Sequence, residues 1–284
     1  MDSIQKYNIE IIGNGSKTMV LAQGFGCNRA MWRHLIPVFE NDYQLVLFDY
    51  VGTGNGEKSL YNPNRYNNLK AYAEDIIDFC RELNFKDVIL VGHSVSASIG
   101  ILAHIAAPDL FESLILITPS PCYINSEDYI GGFEREDIEE LIETLENNYL
   151  GWSRTMAPAI IGNSDRPQLG TELTNSFCQM DPDIAKKFAR VTFFSDNRAD
   201  LPKINIPTLI LQTEEDIIVP PIVGEYMRDK IANSELVVIA ANGHLPHVSE
   251  PKQTIEAIQR FLDKNRKEPT PKTEDEKPEK TVNQ

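Results

Sequence analysis

The stretch Asp87-Val88-Ile89-Leu90-Val91-Gly92-His93-Ser94-Val95-Ser96 constrains the fold more than any other part of the chain. Its first half is a short apolar run with β-branched residues, the pattern of a strand buried on both faces of a parallel sheet. Ala97-Ser98-Ile99-Gly100-Ile101-Leu102-Ala103 follows and reads as a helix of small residues packed close to that sheet. A serine on the turn between such a strand and helix is a nucleophile elbow. The turn lifts the hydroxyl clear of the backbone, and small neighbours are needed because strand and helix nearly touch. The fifth position of the motif is usually glycine; here it is Ser96.

The surrounding pattern agrees with a sheet of this kind. Strands are expected at Asn8–Ile12, Thr18–Ala22, Gln44–Asp49 and Leu114–Thr118, with a helix of clear period over Leu69–Leu83 and another from Met31 to Phe39. Alternation of strand and helix predicts a mostly parallel sheet covered on both faces. After Pro119-Ser120-Pro121 the rhythm changes. Four helices are expected, at Glu136–Tyr149, around Gly151–Ile160, at Thr171–Met180 and at Asp183–Thr192, with Asp183 as a cap for the last. Strands resume at Thr208–Gln212 and Glu235–Ile239, and Gln253–Leu262 reads as a closing helix. The expected division is a core of residues 1–122 and 201–263, a helical cap over 123–200, and a polar tail, 264–284. The tail is Lys, Glu, Pro and Thr with almost nothing to bury, so it is expected to be disordered. A cap inserted there would cover the carboxyl ends of the strands, where open α/β sheets bind ligands.

A net charge of −15 argues against nucleic acid and anionic membrane surfaces, which need clustered Lys and Arg. No apolar run approaches the length of a membrane span, and the amino-terminal residues show no signal-peptide pattern. Cys27, Cys80, Cys122 and Cys178 are widely spaced, which suits reduced cytoplasmic thiols better than a disulfide framework or a zinc site. No cofactor is expected. Gly52-Thr53-Gly54-Asn55-Gly56 lacks both the dinucleotide spacing and a Walker lysine, and reads as a tight turn.

The elbow resembles that of α/β-hydrolases, in which the chain order is serine, acid, histidine. Two later segments fit. Thr213-Glu214-Glu215-Asp216 follows one strand and Asn242-Gly243-His244 follows the next. Asp216 is the favoured acid, with Glu214 and Glu215 as competitors that could equally be solvated loop charges. In this reading His244 takes the proton of Ser94, and Asp216 fixes the imidazole tautomer. The amides of Val95, just after the serine, and Phe25, in Gln23-Gly24-Phe25-Gly26, are expected to receive the oxyanion. His247 has no companions for a metal site, Asp49 precedes the nucleophile, and Cys27 reads as a small hydrophobe, so all three are expected to be structural.

Gly24-Phe25-Gly26-Cys27, Phe48-Asp49-Tyr50-Val51-Gly52, Gly92-His93-Ser94-Val95-Ser96-Ala97, Ser120-Pro121, Gly131-Gly132-Phe133 and Gly243-His244-Leu245-Pro246 together resemble one branch of that superfamily. It is the RsbQ-like branch, which includes the regulator of the bacterial sigma-B stress response and the plant strigolactone and karrikin receptors. Ser96 is similar to the plant receptors in this respect. The resemblance spans about residues 7–263 and implies an α/β-hydrolase fold with a four-helix cap inserted after the sixth strand. It implies the triad Ser94, Asp216 and His244, and a small apolar pocket formed by Phe25, Val95, Phe133, Leu141, Trp152, Met156, Leu173, Phe193 and Ile217. It also implies a small hydrophobic ligand and, for a sigma-B-type regulator, a PAS-containing protein phosphatase as partner. The competing expectation is a small-molecule carboxylesterase with no dedicated partner. Dehalogenase chemistry is disfavoured because it needs Asp where Ser94 stands; perhydrolase or C–C hydrolase chemistry is left open by the triad.

Overall fold

The computed structural model describes residues 1–266. Seven strands form one sheet: β1 (Glu10–Ile12), β2 (Lys17–Ala22), β3 (Tyr43–Leu47), β4 (Val88–His93), β5 (Phe111–Ile117), β6 (Thr208–Glu215) and β7 (Ser234–Asn242). Their order is β1-β3-β2-β4-β5-β6-β7. Only β1, at one edge, runs antiparallel, against β3; all other pairs are parallel. The elbow strand β4 therefore lies at the middle of the sheet, and every residue of it is buried.

The period-two alternation of strand side chains divides the core between two faces. Val20, Val46, Leu90, Leu114 and Leu116 join one cluster, with Tyr72, Ile76 and Phe79 of α1 (Leu69–Glu82) and Ile99 and Ala103 of α2 (Val95–Ala106). Leu21, Leu45, Ile89, Val91 and Ile115 join the other, with Trp32, Leu35 and Phe39 and with the closing helix. The segment expected as one helix from Met31 to Phe39 is two short turns, Arg29–Trp32 and Ile36–Phe39. Pro37 falls in the first turn of the second, where its missing N–H costs nothing.

Between β5 and β6 come α3 (Arg135–Asn147), α4 (Tyr149–Ile161), α5 (Pro167–Gln179) and α6 (Pro182–Phe193). The insertion follows the fifth strand rather than a sixth, because a single strand, β1, precedes β2. Glu134 and Asp137 form a reciprocal capping box at the start of α3. Asp181, not Asp183, caps α6: its carboxylate accepts from the amides of Asp183 and Ile184, and Pro182 occupies the first helical position. Beyond the insertion, α7 (Pro221–Lys230) links β6 to β7, and α8 (Pro251–Lys264) closes the described chain. Lys264 thus ends a helix; the remainder of the expected tail, from 267 on, lies outside the described residues.

Candidate active site

Ser94 stands between β4 and α2 with φ 56° and ψ −123°, a conformation costly for any residue but glycine. The surrounding contacts enforce it. The Ser94 amide donates to the carbonyl of Ile117 on the neighbouring strand at 2.9 Å. Gly92 has no room for a side chain: a Cβ there would lie 2.5 Å from the Ser96 carbonyl oxygen. Gly100 lets α2 approach β4, since a Cβ would fall 2.4 Å from Leu90 Cδ2. Ser96, the departure from the usual motif, is buried; its hydroxyl donates to the Gln23 carbonyl at 2.5 Å and lies 2.8 Å from the Tyr50 hydroxyl. That bond ties the elbow to the loop after β2, which carries Phe25.

His244 Nε2 lies 2.7 Å from Ser94 Oγ, and His244 Nδ1 lies 2.6 Å from Asp216 Oδ2. The three side chains come from three strand ends more than a hundred residues apart at the extremes. The Asp216 side chain is fully buried and its second oxygen accepts the Ile218 amide at 2.8 Å. Glu214 and Glu215 are exposed, and neither makes a hydrogen bond to the imidazole. An acceptor at Asp216 calls for the proton on Nδ1, which leaves Nε2 free to accept the Ser94 proton.

The loop bearing His244 is clamped on every side. Its carbonyl accepts from Thr118 Oγ1 and from His93 Nε2, each at 2.9 Å. Its amide donates to the Ile160 carbonyl on α4 at 2.9 Å, and the Gly243 amide donates to Glu215 at 2.6 Å. His93 must therefore carry its proton on Nε2, and burial, then the neighbouring His247 and His244, hold its pKa well below the usual histidine range. His247 is wholly buried and stacks on Trp32 at 4.7 Å between ring centroids; burial, then His244, lowers its pKa to about 3. Among the described residues no group of three or more metal-ligating side chains occurs. Asp49 ties down its own turn, accepting from Asn8 at 2.8 Å and from the Asn55 amide at 3.1 Å. Burial raises the Cys27 thiol to about 12, far from thiolate reactivity.

Two amides are free beside the serine. Val95 opens α2, so its N–H is one of the orphan donors of a helix start. Gly24 packs against the elbow so closely that a Cβ would lie 3.1 Å from Ser94 Cβ, which brings the next peptide, with the Phe25 N–H, alongside. Neither amide donates to an acceptor among the described residues.

A cavity of about 30 Å³ adjoins Ser94 and His244. Phe25, Trp152, Leu173 and Phe193 line it as expected from the resemblance, together with Tyr123, Ile160, Phe177, Thr192, Ile218 and Leu245. Phe133, Leu141 and Met156 do not; they are partly buried in the packing around it. Ile217 is 55% exposed, and its neighbour Ile218 faces the cavity instead. The Asp216 carboxylate explains the swap: by accepting the Ile218 amide it curls the chain so that Ile218 turns inward. Val95 is buried in the core and does not line the cavity. Overhead, the Phe25 ring meets Phe177 and Phe188 edge-on at 5.8 Å, and Trp152 stacks on Phe177 at 5.8 Å. Tyr123 and Thr192 are the cavity residues that sequence periodicity does not single out. The Tyr123 hydroxyl faces Ser94 without completing a hydrogen bond, and burial keeps it protonated.

A family model described as the alpha/beta hydrolase family matches residues 19–257. The chain belongs to that family. It is 39% identical over 259 residues to the Karrikin insensitive 2 receptor CA of Petunia hybrida, covering 91% of this chain and 96% of the relative. It is 37% identical over 260 residues to the Strigolactone esterase D14 of Arabidopsis thaliana, covering 91% and 97%. Among solved structures, a hydrolase from Oleispira antarctica superimposes with a TM-score of 0.90 at 41% identity, over 92% of this chain and 96% of that one. An esterase from Exiguobacterium antarcticum shares the fold, with a TM-score of 0.83 at 22% identity over 90% and 94% of the two chains. The plant-receptor likeness read from the sequence motifs is thus borne out for this alpha/beta hydrolase. Among its described residues no helix is long and apolar enough to cross a membrane.

Proposed function

We propose that this alpha/beta hydrolase cleaves small ester-like or lactone-like molecules, with Ser94 as nucleophile, His244 as base and Asp216 as its orienting acid. The observation that carries the reading is the unbroken chain of contacts from Asp216 through His244 to Ser94, at 2.6 and 2.7 Å. His244 Nε2 takes the Ser94 proton as Oγ attacks the carbonyl carbon. The oxygen of the tetrahedral intermediate is held by the Val95 and Phe25 amides, each such donor being worth about 3–4 kcal/mol in the transition state. The imidazolium, stabilised by Asp216, returns its proton to the leaving alcohol. Water, deprotonated by His244, then releases the acid and restores Ser94. Short-chain aryl esters test this directly: turnover is expected from the native protein and not from Ser94→Ala, and equal rates from both would refute it.

The cavity, at about 30 Å³, is far smaller than an ordinary ligand pocket. Substrate entry therefore requires the aromatic layer above it to shift, and small acyl groups should be favoured.

A signalling role is a second reading, favoured by the relatives named as receptors and by one structural feature. The Ile160 carbonyl of α4 holds the His244 amide, and the Ser176 hydroxyl of α5 donates to the Gly26 carbonyl at 2.7 Å. Ligand-driven movement of the inserted helices would be felt at both sides of the site and displayed on the surface of residues 123–200. By analogy with the RsbQ-like branch, the partner is a PAS-containing protein phosphatase in a sigma-B-type stress response, and the setting is the cytoplasm, in keeping with four unpaired cysteines. Co-purification from the native host, with and without an active-site ligand, tests this; recovery of no phosphatase or other regulator would count against it.

A further inference from the structure

Apart from Ser94, His93, His244 and Cys27, the lining of the cavity is apolar but for two hydroxyls that have no hydrogen-bond partner among the described residues. Tyr123 is 1% exposed and Thr192 is 2% exposed. Both line the cavity, and neither hydroxyl has a hydrogen-bond partner among the described residues. Thr192 is the more telling of the two. Hydroxyls within helices ordinarily return to the carbonyl four residues back, and Ser153, Thr155, Thr171, Thr174 and Thr254 all do so here. Thr192, in α6, does not. Tyr123 stands on the core side, against Ser94, and packs on Phe193 at 5.1 Å between ring centroids. The two residues thus line the same small cavity, one beside Ser94 and one from the inserted helices.

A buried hydroxyl with no partner is costly, and a native fold that keeps two of them in one cavity has a use for them. We propose that Tyr123 and Thr192 are specificity-determining donors for a second oxygen of the substrate, separate from the scissile carbonyl. The favoured substrate is then an ester carrying an additional ether, carbonyl or hydroxyl oxygen two or three bonds from the ester group, rather than a simple alkyl ester. The inference rests on the hydrolase reading of this site. It differs from that reading in what it demands: a site built to hydrogen-bond an oxygen rejects the analogue that lacks it.

Matched ester pairs in which one methylene is replaced by an ether oxygen provide the test. Butyrate against methoxyacetate probes the acyl portion, and butyl against methoxyethyl the alcohol portion. The ratio of kcat/KM within each pair is measured for the native protein and for the double variant Tyr123→Phe with Thr192→Val. Intrinsic reactivity cancels between proteins. The ether preference in at least one pair should fall by about tenfold, the size of one hydrogen bond. Equal ratios in both proteins, with turnover intact, would overturn the inference and leave the hydrolase standing. The same ligands are titrated into Ser94→Ala protein carrying Trp32→Phe, with and without the double substitution, and followed by the fluorescence of Trp152, then the one remaining tryptophan. Selective ether binding there that the double substitution abolishes, without turnover in native protein, would sink the hydrolase reading and keep Tyr123 and Thr192 only as donors to a bound ligand. Binding with no preference, or no binding and no turnover, would overturn it. Thermal unfolding of the variants confirms that they fold.

Discussion

Gly243 offers a sharp test of how the histidine is held. Its φ is 87°, and a Cβ there would lie 2.0 Å from the Ile161 carbonyl oxygen and 3.0 Å from that of Ile160. Both are backbone atoms, so no side chain can swing aside. Relief requires about 1 Å of movement between α4 and the loop, and the Ile160 carbonyl is the acceptor for the His244 amide. In Gly243→Ala the left-handed conformation costs about 1–2 kcal/mol, overpacking about 1–3 kcal/mol, and the weakened His244 bond about 1 kcal/mol. Together these predict about 3–6 kcal/mol of lost stability, less where the loop yields. Yielding moves the imidazole instead, and a displacement near 1 Å lowers kcat/KM by about 100-fold. Urea denaturation and hydrolysis of a short aryl ester, measured on the same preparation, separate the two routes. A variant within about 1 kcal/mol of the native stability and about threefold of its activity would refute the reasoning.

Further outcomes follow from the same geometry. Asp216→Asn should lower kcat by about 10⁴-fold while Glu214→Gln leaves it unchanged; equal losses would mean that the acid is misassigned. Ser96→Gly removes the bond to Gln23 and strands the Tyr50 hydroxyl, so stability should drop by about 1–3 kcal/mol and kcat/KM should fall as the Phe25 loop loosens; unchanged urea midpoints and rates would contradict the tie. His247 is held neutral, with its pKa lowered to about 3. The unfolded chain then binds one more proton than the folded protein below about pH 6.5, so the His247 contribution is present at neutral pH and is lost as pH falls toward 3. His247→Phe, which keeps the stack on Trp32, should flatten the stability–pH curve in that window by about 1.4 kcal/mol per pH unit; parallel curves would exclude it.

Much of the core could be read from the sequence because two physical patterns are local there. Buried parallel strands are short apolar runs, and β4, β5 and β6 each carry one. The elbow announces itself through small residues, since Gly92 and Gly100 sit where any side chain would collide. Helix ends were less legible. Asp181 and Asp183 flank the same proline, and only the backbone bonds distinguish the cap. Cavity lining was hardest. Ile217 and Ile218 are chemically alike, and a single carboxylate-to-amide bond decides which one turns inward. Leu141 and Met156 are apolar residues of the inserted helices, and a modest helix rotation separates lining a void from packing around it; Phe133 precedes the first of those helices, in a bridge with Ile124. Tyr123 and Thr192 carried no periodic signal, because their significance lies in partners they lack.

Intact-mass spectrometry after exposure to a fluorophosphonate bears most directly on the convergence of Asp216, His244 and Ser94. A functioning triad predicts one adduct, mapped by peptide sequencing to Ser94, absent in Ser94→Ala and strongly slowed in His244→Ala. No adduct on the native protein, or the same adduct on Ser94→Ala, would contradict it.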